Sequence, residues 1–142
     1  MNTAHLTAEV HVRFPVSIKA VLFAGTGEVV LLKNDRDEWE LPGGRLEANE
    51  APEHCLVREI REELGIEATV GPILDSYLFE VLPGRHVFIV TYACHAPGAF
   101  RPRVSDEHLA WALFRRDALP DTLPAGYRAS ILRAIPEHAP KS

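Results

Sequence analysis

A chain of 142 residues, 46% apolar and 25% charged, has the composition of an ordinary soluble globular domain long enough to bury a substantial core, and it holds no low-complexity tract or interdomain linker. Its net charge of −5 gives no basic footprint for nucleic acid, so no stable nucleic-acid partner is expected, although local patches stay open. No apolar run approaches the ~20 residues of a membrane span, Met1 to His5 lack a secretion signal, and Cys55 and Cys94 form neither a disulfide framework nor a close metal-ligand pair, so a reducing cytoplasm is the expected setting.

In chain order, Val10 to Ala24 is rich in β-branched and aromatic residues, with its best strand at Ser17 to Phe23. Gly25-Thr26-Gly27 reads as a hairpin turn into a second strand from Glu28 to Leu32, followed by a polar loop from Lys33 to Asp37. Trp39-Glu40-Leu41 leads into a Pro42-Gly43-Gly44 turn, and Trp39 is expected to pack beneath it rather than stack on a ligand. Ala51-Pro52 opens a helix, because proline suits a first turn whose N–H has no intrahelical partner, and Gly65 closes it. Glu67 to Val81 reads as one or two strands broken near Gly71-Pro72, and Pro83-Gly84-Arg85 turns the chain into a central strand from His86 to Ala93. Pro97 to Pro102 is a surface loop, Leu109 to Phe114 a short strand, and Arg115-Arg116-Asp117 a turn. A last helix runs from Ala125 to Ile135 with an apolar face of Tyr127, Ile131, Leu132 and Ile135, and residues 136–142 form a frayed tail. Mixed strands with two helices predict an α+β class, with residues 1–142 forming one domain.

Spacing on the first helix turns acidity into chemistry. At roughly 100° per residue, Glu59, Glu62 and Glu63 share one face, while Leu56, Val57, Ile60 and Leu64 share another. The apolar face must be buried, which would hold the carboxylates as a fixed group at the rim. Like charges at this spacing repel by a few tenths of a kcal/mol per pair. Such a group is either solvated or holds a cation, and carboxylate oxygens suit hard divalent ions such as Mg²⁺.

Gly44, Glu50, Arg58, Glu59, Ile60, Glu62, Glu63, Gly65 and Ile66 fill every fixed position of G-x5-E-x7-R-E-U-x-E-E-x-G-U, where U is a bulky apolar residue. In this stretch the chain closely resembles the Nudix hydrolases. The resemblance implies a mixed β-sheet sandwiched between α-helices, with the signature forming a loop-helix-loop at the active site. It implies Glu59, Glu62 and Glu63 as metal ligands together with the Gly43 carbonyl, and Glu50 and Arg58 as the pair bracing loop to helix. It implies a Mg²⁺- or Mn²⁺-dependent pyrophosphohydrolase acting on a small nucleoside diphosphate derivative, with water attacking phosphorus, and it allows a homodimer. The alternative is a Nudix-like domain that senses a nucleotide metabolite, or serves interaction, without turnover.

Members of the family often place a further acid before the last helix. Glu107 is the preferred candidate here, ahead of Asp106 and of Glu80, and either Glu59 or that loop acid would accept the proton of the attacking water. His108 is expected to be a surface residue without a catalytic role, and Cys55 a small residue allowing close approach of the helix. Tyr77, Phe79, Phe88 and Tyr92 are candidates for a base-stacking surface whose side of the sheet periodicity leaves open. The substrate could be a nucleoside triphosphate, a dinucleoside polyphosphate, a nucleotide sugar or ADP-ribose.

Overall fold

Period-two burial in the strands decides how the layers are built. In a computed structural model, which describes residues 11–135, strand β1 (Val16–Phe23) sends Ile18, Ala20 and Leu22 to one face of the sheet and Val21 and Phe23 to the other. Strand β2 (Val29–Lys33) divides likewise, with Val30 and Leu32 on the first face and Val29 and Leu31 on the second. Both strands are almost entirely buried, so each face needs its own cover.

Helix α1 (Pro52–Leu64) covers the first face with Cys55, Leu56, Ile60 and Leu64. Each of these is withdrawn completely from solvent, and a buried leucine or isoleucine is worth roughly 1.5–3 kcal/mol. The helix begins at the proline and ends at Gly65, whose φ of 67° is left-handed and whose N–H reaches the Arg61 carbonyl at 2.9 Å. Helix α2 (Ala125–Arg133) covers the second face through Tyr127, Ser130 and Ile131, with Ala134 just beyond its end.

Between them lies a seven-stranded mixed sheet. The order β3 (Trp39–Glu40), β2, β1, β6 (Arg85–His95), β5 (Thr69–Leu82) is extended by β4 (Gly43–Arg45) on β1 and β7 (Ala110–Phe114) on β2. Strands β1 and β6 run parallel, and the other pairs are antiparallel. The result is the α/β/α sandwich implied by the resemblance.

Three expectations change. The stretch after α1 is one continuous strand, and the Gly71-Pro72 interruption survives only as a shift of register between Val70 and Ile73. Of the apolar face expected for α2, Ile131 is buried and Tyr127 packs against the core, but Leu132 and, beyond the helix end, Ile135 are exposed, and Ser130 and Ala134 complete the buried face. On α1, Val57 is only half-buried, whereas Glu63 is almost fully buried and does not sit at an open rim. The expected frayed tail lies outside the described residues. No described helix is long and apolar enough to cross a membrane.

Candidate active site

The glycine turn is built to be crossed at close range. Gly43 pairs with Lys19 and Gly44 with Ile18 across β4 and β1. Gly43 has a φ of 138°, and a β-carbon there would lie 2.1 Å from the Ile18 carbonyl oxygen. Its N–H donates to Glu63 Oε1 at 2.8 Å, so the buried end of the helix is fastened directly to the turn. Gly44 lies against the carboxylate of Glu59, where a β-carbon would come within 2.5 Å.

Arg58 organises the outer half. Its Nε donates to Glu50 Oε2 at 2.7 Å and its Nη2 to Glu50 Oε1 at 3.0 Å, the bidentate fork that a lysine has no means to make. The same guanidinium reaches Glu59 Oε1 at 3.1 Å, Glu62 Oε2 at 3.4 Å, Glu47 Oε1 at 3.3 Å and the Arg45 carbonyl at 3.4 Å. The helix therefore holds loop and carboxylates through one side chain. The hydrogen bonds from Arg58 pull the Glu50 carboxyl down to about 2. Cys55 packs beneath this brace, 3.6 Å from the Arg45 carbonyl, and burial pushes its thiol up to about 12, which makes it inert at neutral pH.

The three signature carboxylates are not equivalent. Glu62 is exposed, Glu59 is largely covered, and Glu63 is buried. Desolvation pushes the Glu63 carboxyl up to about 8, and repulsion from Glu59 and Glu40 adds to this against the pull of Lys19 and the Gly43 N–H. Desolvation also raises Glu59, with the Glu62 charge adding and Arg58 opposing.

A second group of polar residues, outside the signature, joins this cluster. The segment after β6 caps the C-terminus of α1, with the Arg103 N–H on the Leu64 carbonyl at 2.7 Å and the Ser105 N–H on the Glu63 carbonyl at 3.0 Å. That docking carries His108 inward. Its side chain is 5% exposed, with Nε2 3.0 Å from Glu40 Oε2 and 3.8 Å from Glu63 Oε2. Glu107, its neighbour, is exposed and makes no hydrogen bond or ion pair with the cluster among the described residues.

Lys19 is the buried cation of the region. Its Nζ donates to the Leu41 carbonyl at 3.2 Å and lies 6.0 Å from the centre of the Tyr127 ring. Burial pulls its pKa down, but Tyr127 and the carboxylates of Glu40, Glu63 and Glu59 outweigh that and raise it. Burial likewise works against ionisation of Glu40, yet Lys19 and the hydrogen bonds from His108 and Asn34 bring its pKa below the usual value.

Beside the cluster, on the α2 side of the sheet, is a cavity of about 530 Å³, a size that suits a small molecule. Trp39, Phe79 and Tyr127 give it aromatic walls, and Asn34, Glu38 and Glu40 a polar end. Of the four strand aromatics considered from sequence, only Phe79 lines it; Tyr77 packs on Gly126 of α2, and Tyr92 packs toward the α1 core. Trp39 packs against a strand of the sheet and faces open space as well. It meets Phe114 edge-on at 5.1 Å and also lines the cavity.

Lys19, Glu40, His108 and Tyr127 were not picked out as site residues from sequence. Lys19 carried a signal, being the lone charge inside an apolar strand on the face shared with Val21 and Phe23. Glu40 stands directly before the glycine turn, but His108 needed the docking of residues 103–105, which no local pattern announces.

The donors here fit a hard divalent cation by chemistry, being carboxylate and carbonyl oxygens only. Gly44 leaves against Glu59 a space that any β-carbon would fill, and among the described residues buried Glu63 has no cationic side chain nearer than His108 Nε2 at 3.8 Å. Among the described residues no group of three acidic, histidine or cysteine side chains is arranged to hold a metal ion as it stands, and Glu59 and Glu62 both reach Arg58.

The likeness to known proteins follows this geometry. The family model described as NUDIX domain matches residues 13–134. Over 100 residues, 67% of this chain and 72% of the relative, the sequence is 35% identical to a CTP pyrophosphohydrolase of Escherichia coli K12. A shorter match, 47% identical over 57 residues, covers 37% of this chain and half of an 8-oxo-dGTP diphosphatase of Proteus vulgaris. Among solved structures, a MutT NUDIX hydrolase from Burkholderia pseudomallei superposes with a TM-score of 0.76 at 30% identity, covering 87% of this chain and 100% of that one. The MutT protein of Methanosarcina mazei gives the same TM-score at 25% identity, over 88% and 95% of the two chains. Nudix hydrolases generally use divalent metal ions, and the chain belongs to this family: it is a Nudix hydrolase.

Proposed function

We propose that the chain is a Mg²⁺- or Mn²⁺-dependent pyrophosphohydrolase that cleaves the phosphoanhydride of a nucleoside diphosphate linked to a further group, releasing a nucleoside monophosphate. The observation that carries this is the hydrogen bond from the Gly43 N–H to Glu63, which fixes a carboxylate beside a cavity sized for a nucleoside. Glu59, Glu62 and Glu63, with the Gly43 carbonyl, would hold the cation. The cation supplies neutralisation of the diphosphate charge and a more acidic water. Glu59 accepts the proton of the attacking water, and Glu107 is the rival for that step. Arg58, held by Glu50, keeps Glu59 against Gly44, so the base is positioned before substrate arrives. The aromatic walls of Trp39, Phe79 and Tyr127 receive the base. Both cysteines are free and buried, which supports a reducing, cytoplasmic setting.

A panel of nucleoside triphosphates, dinucleoside polyphosphates, nucleotide sugars and ADP-ribose, incubated with Mg²⁺ or Mn²⁺ in ¹⁸O-labelled water, tests this. The expected result is metal-dependent release of a nucleoside monophosphate, with the label in a phosphate-containing product. Saturable binding without turnover of any member would leave a sensor in place of the enzyme. Label found only on a sugar or other leaving group would mean carbon–oxygen cleavage and overturn the reaction class.

A further inference from the structure

The cavity and the carboxylate cluster are bridged by a line of polar side chains that is hydrogen-bonded as far as His108. Asn34 Nδ2 donates to Glu40 Oε1 at 3.0 Å, and Glu40 Oε2 is 3.0 Å from His108 Nε2. The same nitrogen is 3.8 Å from Glu63 Oε2, while Glu63 Oε1 accepts the Gly43 N–H at 2.8 Å. The two ends of this line differ in kind. Asn34 and Glu40 line the cavity, whereas Glu63 and Gly43 belong to the signature.

The backbone of His108 is held in place between them. Its N–H bonds the Ser105 carbonyl at 3.2 Å, the next N–H bonds the Lys33 carbonyl at 2.8 Å, and the ring is nearly buried. Among the described residues Nδ1 has no hydrogen-bond partner, so the ring's polar contact with them runs through Nε2. With Nε2 protonated, the ring has one N–H for two carboxyl groups, and the nearer one, Glu40, takes it. A donor arriving at Glu40 Oε2 from the cavity competes for that oxygen and weakens its hold on the N–H, which a small rotation of the ring brings toward Glu63.

We propose that His108 is a positioning residue that transmits occupancy of the cavity at Glu40 to Glu63, so that a base carrying an exocyclic amino group is selected in turnover and not only in binding. Glu40 is the specificity-determining residue of this device. An amino group opposite the half-buried Glu40 carboxylate is hydrogen-bonded, and its removal leaves that carboxylate without the partner. The inference rests on the pyrophosphohydrolase reading for its kinetic form.

The kinetic test compares each amino-bearing triphosphate with its analogue lacking that group: CTP with the 2-pyrimidinone triphosphate, ATP with the purine triphosphate, and GTP with ITP. For the best substrate, loss of the amino group lowers kcat about tenfold or more in the wild type. In His108→Leu the kcat ratio falls to within about twofold while the KM ratio stays as in the wild type, and His108→Gln, which keeps an N–H donor, restores the kcat ratio. A kcat ratio untouched by His108→Leu, or discrimination carried wholly by KM in the wild type, would overturn the proposal.

A measurement on the wild-type protein decides the same point without turnover and without relying on the folding of a variant. In EDTA, CMP, AMP and GMP and their analogues lacking the amino group are titrated while the ¹H–¹⁵N resonances of the His108 ring are followed. At least one amino-bearing monophosphate is expected to shift them, with its analogue causing none of that shift. Unmoved resonances with all three, or equal shifts with the analogues, would defeat the coupling. Absence of hydrolysis across the panel would instead defeat the enzyme reading and leave this result standing.

Discussion

Gly44 lies so close to Glu59 that a β-carbon at position 44 would sit 2.5 Å from the carboxyl carbon. The obstacle is the end of a flexible side chain, so the fold can absorb Gly44→Ala by turning Glu59 aside. Activity has no such freedom if Glu59 acts on the attacking water. Gly44→Ala is expected to lose about 10²-fold in kcat, the scale of a reacting group misplaced by an ångström. Its melting temperature should stay within a few degrees of the wild type.

At Gly43 the obstacle is backbone. A β-carbon would meet the Ile18 carbonyl at 2.1 Å and the Lys19 Cα at 2.8 Å, and the φ of 138° is unfavourable for any other residue. Gly43→Ala is expected to cost about 4 kcal/mol or more, in the exceptional range for one substitution. At roughly 2–4 °C per kcal/mol for a domain of this size, calorimetry should find the transition at least about 8 °C lower.

The brace between Glu50 and Arg58 gives stability a definite pH dependence. The Glu50 carboxyl is drawn down to about 2 in the folded protein, against about 4.3 for a free glutamate. Its contribution is therefore complete above about pH 4.3 and is lost as pH falls toward 2. Glu50→Gln should flatten that part of the melting-temperature profile. Arg58→Lys should lower activity by loosening the fork while partly retaining fold and metal affinity. A lysine variant equal to wild type in rate and melting temperature would remove the bracing role.

Metal binding should separate the two acids that end the signature. Glu63 is fixed by the Gly43 N–H, whereas Glu62 is exposed and, among the described residues, held by long contacts to Arg58. Calorimetry with Mn²⁺ should show strong weakening in both Glu62→Gln and Glu63→Gln, larger for Glu63 because its oxygen is already in place. Affinities equal to wild type in both would exclude them as ligands.

Glu59 and Glu107 are told apart by kinetics. Glu59→Gln keeps the volume and removes the basicity, so kcat should fall by at least about 10²-fold, with smaller damage to substrate binding. Glu107 is exposed and unattached to the cluster, so Glu107→Gln should cost far less. A comparable loss there would make the loop acid the base and Glu59 chiefly a ligand.

Much of α1 was legible because its signals are local: a proline at the start, a glycine at the end, and apolar residues at helical spacing. The depth of Glu63 was not. A helical projection treats Glu59, Glu62 and Glu63 alike, while their burial depends on β4 from one side and residues 103–105 from the other. Half of the α2 face, Tyr127 and Ile131, was legible, and the other half was not for a related reason. Apolar character marked Leu132 and Ile135, but the approach to the sheet is made by small residues, with Gly126 against Tyr77 and Ser130 hydrogen-bonded to Thr91 at 2.9 Å. His108 looked like a surface histidine because its partners, Glu40 and Glu63, are remote in sequence.

The parallel pairing of β1 with β6 has a consequence for synthesis. The strand that seats the glycine turn leaves the ribosome early, and the whole signature follows it, but the partner on its other side is not made until Arg85–His95 emerges. Before then β1 has one bare edge, and the turn and helix rest on a strand that is itself half supported. A nascent chain halted before Arg85 would carry every residue of the signature and still lack a formed site.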